Sequence, residues 1–213
     1  MQYSVNSLKK ALSILECFTP KKYYFSLSEI TKLTNISKTT AFRLLSTFCE
    51  LDYLKCDSQN KKYYLGPRVL SLGFSVLQSL DIREVARPYL EELARGFDKT
   101  VNLSILDQLE MIYIDRIKVH SIRDLNISIG DRIPVYNTAA GRAVLAYLKR
   151  EELLGILERI KKDPIASRYI GKNGKRLIRS LDDVRANGFA INDEELLRGV
   201  RAIAVPVFSH RNV

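Results

Sequence analysis

The chain has little of the residues on which many chemistries depend. Its 213 residues contain no tryptophan, two histidines, three cysteines and ten glycines. Cys17, Cys49 and Cys56 are odd in number and stand in apolar or helical surroundings, which does not suit a disulfide framework. Cys49 and Cys56 lack the close spacing of zinc-ligand pairs. His120 and His210 stand beside no obvious nucleophile, and each reads as a lone surface histidine. No glycine-rich phosphate loop is present, which argues against a nucleotide hydrolase. No stretch approaches the roughly 20 apolar residues of a membrane span. Met1 to Lys10 lacks the apolar core of a signal peptide, so the expected location is the cytoplasm. No repeat or low-complexity tract appears, and neither a metal nor a cofactor is expected.

What the chain does have is positive charge. The formal net charge is +10, which favours a polyanionic partner. Residues 1–66 hold ten lysines and arginines against five acids, an excess of five. Half of the net charge thus sits in under a third of the chain.

The pattern within this basic segment is helical. Leu8, Ala11, Leu12, Leu15 and Phe18 recur at three- and four-residue steps, predicting a helix over Lys9 to Phe18. Asn6 or Ser7 can cap it, and Pro20 stops it. Ser26-Leu27-Ser28-Glu29 has capping-box spacing and opens a second helix with Leu27, Ile30 and Leu33 inward. A turn follows at Thr34-Asn35-Ile36, where Asn35 tolerates a left-handed backbone. Ser37 then caps a third helix, with Ala41, Leu44, Leu45 and Phe48 inward and Thr39, Arg43, Ser46 and Glu50 outward. Tyr53 to Cys56 and Lys62 to Leu65 read as a hairpin around a polar turn. Three helices and a hairpin predict a winged helix over residues 1–66.

A helix enters the major groove only if its outward face carries groups that reach phosphates and base edges. The start of the third helix does so. Ser37, Thr39 and Thr40 are short hydrogen-bonding side chains, Lys38 and Arg43 are cations, and Lys61 and Lys62 flank the groove from the wing. The partner expected is double-stranded DNA.

Residues 67–81 read as a connecting helix, with Leu70, Phe74, Leu77 and Leu80 on one side. Residues 82–213 read as a second domain. Ile82 to Phe97 is a helix with Val85, Tyr89, Leu90, Leu93 and Phe97 as its stripe, kinked or started by Pro88. Val101 to Ile105, Met111 to Asp115 and Leu125 to Ile129 read as strands. Gly130 to Pro134 is a turn-rich loop. Helices follow at Thr138 to Leu148, Glu151 to Ile160 and Leu181 to Asn187. Strands at Ala190 to Asp193 and Ala202 to Val207 close the chain. Hairpin strands with segregated helices predict an α+β fold with an antiparallel sheet.

The ordered series of segments resembles the IclR-type bacterial transcriptional regulators. It includes Leu27 to Ile30, Ser37 to Leu45, Tyr64 to Arg68, Arg83 to Leu90, Tyr113 to Arg116, Thr138 to Ala143, Asp193 to Glu195 and Gly199 to Arg201, which together span nearly the whole chain. The resemblance implies a homodimeric or tetrameric regulator, expected as a repressor on a palindromic operator. It also implies a GAF-like effector domain that binds a small organic acid. The DNA-binding set is then Ser26, Ser37, Lys38, Thr39, Thr40, Phe42, Arg43, Lys61 and Lys62. Carried over by position, the effector pocket is lined by Ile122, Leu125 and Ile133. Ala139 and Ala140 supply helix N-terminal amides. Asn192, Val200 and Ala202 lie across from them. Asn192, Ala202 and Tyr136 depart from the acid, cysteine and histidine frequent in relatives, so the effector is expected to differ from simple two- and three-carbon acids. Relatives usually continue past Val205-Pro206-Val207 with a strand and a helix, so an uncovered sheet edge is expected here.

An enzyme is the competing class, as a metabolite-binding catalyst with an appended winged helix. Its best residues are Asp193-Glu194-Glu195, which read more readily as a solvated turn or as ion-pair partners of Arg198 and Arg201. An RNA-binding or structural protein is a weaker alternative, since Tyr63 and Tyr64 alone make no stacking platform.

Overall fold

The computed structural model describes residues 4–20, 22–119, 127–171 and 174–208. The chain divides into two compact units, Met1–Leu80 and Asp81–Val213.

The first unit is ordered α1 (Asn6–Leu15), β1 (Phe25–Ser26), α2 (Leu27–Thr34), α3 (Lys38–Glu50), β2 (Leu54–Cys56), β3 (Lys62–Leu65) and α4 (Pro67–Gln78). Helix α1 starts and ends three residues earlier than its periodicity suggests. Its N-cap is Val5, without a side-chain cap, rather than Asn6 or Ser7. Its core residue is Ile14, while Leu8 and Leu12 stay exposed. The predicted capping box of α2 is present, with Ser26 and Glu29 bonding reciprocally. Asn35 ends α2 in the left-handed region at φ 54°. Ile30 is buried, but Leu33 is 62% exposed, against the expected inward face. Strand β1 is too short to leave a sequence signal. It pairs antiparallel with β3, which pairs antiparallel with β2, in the order β1-β3-β2. Ile14, Phe25, Ile30, Ala41, Leu45 and Leu54 make the core beneath this sheet. Ala41 and Leu45 point α3 inward, and its opposite face is left to solvent.

Gly66 joins the wing to α4. A Cβ there would stand 2.2 Å from the Asp52 carbonyl oxygen, so only glycine fits. Its N–H donates to Tyr53 O at 2.8 Å. Helix α4 has no buried residue; the expected inner side at Leu70 and Phe74 is exposed.

The second unit runs α5 (Asp81–Phe97), β4 (Val101–Asp107), β5 (Glu110–Ile117), β6 (Arg132–Pro134), α6 (Ala139–Leu145), α7 (Arg150–Lys162), α8 (Ala166–Ile170), α9 (Lys175–Asn187), β7 (Ala190–Asp193) and β8 (Arg201–Ala204). Helix α5 continues through Pro88 without a break, and only Leu90 and Ala94 of it are buried. Val85, Tyr89, Leu93 and Phe97, expected on its packed stripe, are exposed. Strands β4, β5 and β6 form an antiparallel sheet, and β7 and β8 a second.

The third strand is not where alternation placed it. Leu125 and Asn126 lie outside the described residues, and the segment to Ile129 carries no strand. Pairing instead falls on Arg132–Pro134, inside the segment read as a loop. Arg132 reaches both Glu110 (2.6 Å) and Asp107 on the neighbouring hairpin, which fixes this short strand in register. Helix α9 begins at Lys175, six residues before Leu181, and β8 ends at Ala204 rather than Val207. Met111, Val135, Leu145, Ile160 and Leu181 are among the fully buried residues of one core, over which α6 to α9 pack.

Candidate nucleic-acid interface and effector site

The start of α3 is built by its cap. Ser37 Oγ accepts from the Thr40 N–H (3.4 Å) and donates to Thr40 Oγ1 (2.9 Å). These two side chains therefore hold the helix end and each other, and Thr40 is half-buried. Ser26 is likewise spent on its own cap. Its N–H and hydroxyl both donate to Glu29 Oε2, at 2.8 and 2.9 Å. Glu29 also takes Lys22 at 2.6 Å, and this lysine with the Ser26 donors pulls its carboxyl down to about 2. Of the expected DNA-facing set, three residues thus shape the helix ends.

Lys38, Thr39, Phe42 and Arg43 are exposed along one side of α3, with Ser46 a turn further on. Lys38 and Arg43 make no ion pair among the described residues. In the wing, Asp57 accepts from the N–H groups of Gln59 (2.8 Å) and Asn60 (3.3 Å). These bonds lower its carboxyl below the usual range and tie the turn. Lys61 sits at φ 55° and Lys62 follows at the start of β3, both exposed. Lys55, by contrast, is engaged by Asp52. The arrangement offers four cations, a hydroxyl and an aromatic ring on the exposed face of one helix and its neighbouring turn.

In the second unit, Thr138 caps α6. Its Oγ1 accepts from the Gly141 N–H (3.2 Å) and donates to Pro134 O (2.8 Å). A Cβ on Gly141 would meet Val135 O at 2.2 Å, so α6 lies against the end of β6 with no room for a side chain. Ile133, Ala139 and Ala140 meet in this packed region. Asn192 pairs in register with Ala202 on β8. Its Nδ2 donates to Asn137 O (2.6 Å), so its amide serves the backbone ahead of α6. Val200 is half-buried and Ala202 is exposed. Ile122 and Leu125 lie outside the described residues.

Two residues here were not singled out by the sequence. Asn137 is buried, and its Oδ1 has no hydrogen-bond partner among the described residues. Arg142 is buried on α6 and joins Glu195 at 2.5 Å and the Ile191 carbonyl. Polar residues in a turn or on a helix are ordinarily read as solvent-facing, so spacing alone does not find them. The acids at 193–195 are all engaged: Asp193 with Arg201 (2.6 Å), Glu194 with the Gly199 N–H (2.9 Å) and Glu195 with Arg142. Arg142 thus takes the place expected of Arg198.

The comparisons decide the family. A model of the IclR helix-turn-helix domain matches residues 7–58, and one of the bacterial transcriptional regulator IclR C-terminal domain matches residues 74–213. The chain belongs to the IclR family. Members of the family are DNA-binding transcriptional regulators with an effector-binding C-terminal domain, and this IclR-family chain is one of them. It is 34% identical to the HTH-type transcriptional regulator XynR of Escherichia coli, over 98% of this chain and 82% of that protein. It is 33% identical to KipR of Bacillus subtilis, over 99% and 83%. Among solved structures it resembles an IclR family regulator from Brucella abortus, with a TM-score of 0.81 and 31% identity, over 98% of this chain and 78% of that one. Among the described residues no helix is long and apolar enough to cross a membrane.

Proposed function

We propose that this IclR-family regulator reads its operator with the exposed face of α3, and that Lys38, Thr39, Phe42 and Arg43 make the groove contacts. Lys61 and Lys62 hold the phosphates beside it. The observation that carries this reading is that, among the described residues, Arg43 stands exposed and without an ion pair on the face opposite Ala41 and Leu45, while Lys38, also exposed and without an ion pair, stands at the helix start. Ser26, Ser37 and Thr40 act by fixing the helix starts, which sets the angle of the exposed face.

The protein works as a homodimer on a palindromic operator, and as a repressor, the mode that needs DNA binding alone. Exposed apolar residues on α1 (Leu8, Leu12) and α4 (Leu70, Phe74) support association of two copies. The effector is a small organic acid held near Ile133, Ala139 and Ala140. Helix N-terminal amides favour a carboxylate. The unpartnered Asn137 Oδ1 favours a ligand that also carries a donor, since a buried acceptor left alone costs free energy. The regulator names of the relatives support binding rather than catalysis.

The test is a gel shift on a duplex selected by this protein from a randomised pool. Arg43→Ala is expected to weaken binding roughly tenfold or more. Unchanged affinity would remove α3 as the reader. A thermal-shift screen of organic acids follows, with hits retested for release of the duplex; a hit that binds one state better must change DNA affinity. Turnover of a metabolite without duplex retardation would favour an enzyme.

A further inference from the structure

We infer that Phe42 reads a thymine, its ring supplying the apolar contact to a 5-methyl group in the major groove. The inference rests on the proposal that α3 enters that groove.

At 3.6 residues per turn, positions 39, 42, 43 and 46 of α3 fall on one arc of about 100°. All four are exposed, while Ala41 and Leu45 on the other side are buried. Phe42 leaves 53% of its surface in solvent. Among the described residues of this unit, ring contacts join Phe18 to Phe25, Tyr24 to Tyr23 and Tyr64, and Phe48 to Tyr53; Phe42 takes part in none. A single exposed apolar side chain is ordinary on a protein surface. Its neighbours set this one apart. Lys38 stands one turn before it, Thr39 three residues before, Ser46 one turn after, and Arg43 adjoins it. The ring lies among the groups that would touch bases.

Closing a groove over that ring removes its water. The 5-methyl of thymine is the apolar group that base edges offer there. An amino or carbonyl group under the ring loses its hydrogen bond to water and gains none, which is a penalty. The ring therefore favours thymine twice, by contact and by exclusion. Thr40, whose methyl could serve the same end, is half-buried and held by Ser37.

The experiment starts from duplexes that the 213-residue chain enriches from a randomised pool. Each thymine of the enriched sequence is replaced in turn by deoxyuridine, which removes the methyl and nothing else. Affinities are measured for wild type, Phe42→Leu and Phe42→Ala, with thermal melts to show that each variant is folded. At one position or more, deoxyuridine is expected to weaken the wild type about fourfold, the effect of one buried methyl-sized group. Phe42→Ala should show no loss at that position, and Phe42→Leu an intermediate one. The inference is overturned if no position senses the methyl, or if Phe42→Ala keeps the full penalty at every position. Binding that still depends on Arg43 then leaves the reading of α3 standing. If the pool yields no enriched duplex, both fail together.

Discussion

Arg142 of α6 reaches Glu195, beyond β7, across 2.5 Å, with its side chain only 7% exposed. The guanidinium also donates to the Ile191 carbonyl, so one side chain ties the helix nearest the proposed effector site to β7 and to the turn after it. Removing one partner of a mostly buried pair leaves the other charge without compensation. Arg142→Ala is expected to lower the stability of the second unit by about 2–4 kcal/mol, with Glu195 partly in solvent setting the lower end. Arg142→Lys keeps the charge but cannot make both bonds, and should fall between. Chemical denaturation of the purified variants measures both.

Gly141→Ala should be worse tolerated than its small volume suggests. The new Cβ would stand 2.2 Å from Val135 O and 2.4 Å from Val135 Cα. Backbone on that side cannot give way as a flexible side chain can. A loss of roughly 3 kcal/mol is expected, at the upper end for overpacking. Because Gly141 lies in the second unit, duplex binding by the folded fraction should be spared. Calorimetry showing an unchanged transition would mean that α6 and β6 can separate at little cost.

Glu29 gives the capping box a pH dependence. Its folded pKa is lowered from 4.5 to about 2, by Lys22 first and then by the Ser26 donors. A depressed carboxylate pKa contributes stability that is present above the unfolded value and lost as pH falls through the folded one. The advantage of wild type over Glu29→Gln is therefore expected in full at pH 7, fading between pH 4.5 and about 2. The Lys22–Glu29 pair is open to solvent, with 39% of the Glu29 side chain exposed, so added salt should shrink the difference. Melting temperatures of the two chains across that range test the sign. A difference that grows on acidification would contradict it.

Lys61→Ala and Lys62→Ala should weaken DNA binding without changing which sequence is preferred, since phosphate contacts carry no base information. Each is expected to reduce the salt slope of log affinity by about 1. Titrations at several salt concentrations on selected and scrambled duplexes separate this from a base contact. A change in preference would move that lysine from the backbone to the bases.

The local chemistry of the first unit was legible. Ser26 and Glu29 announce a capping box, Asn35 a left-handed turn and Ser37 a helix start, and each appears as expected because its cause lies within a few residues. Periodicity showed that apolar stripes exist but not what covers them. Leu8, Leu12, Leu33, Val85 and Phe97 have helical spacing and remain exposed, because burial depends on partners distant in sequence. Strand β6 was misplaced for the same reason. Arg132 in a short charged segment looks like a loop residue until Asp107 and Glu110 are brought beside it. The effector region was least legible, since Asn137, Arg142 and Asn192 are polar residues whose burial follows from contacts about 50 residues apart.

Gly66 has a mechanical consequence. Its N–H is bound to Tyr53 O, and two residues later Arg68 lies over the Tyr53 ring at 5.5 Å and donates to the Leu51 carbonyl. Leu51 is the residue that caps the end of α3. The root of α4 and the end of α3 are therefore tied to the same three residues, Leu51 to Tyr53. The two helices share one anchor, and a substitution that loosens it would free both at once.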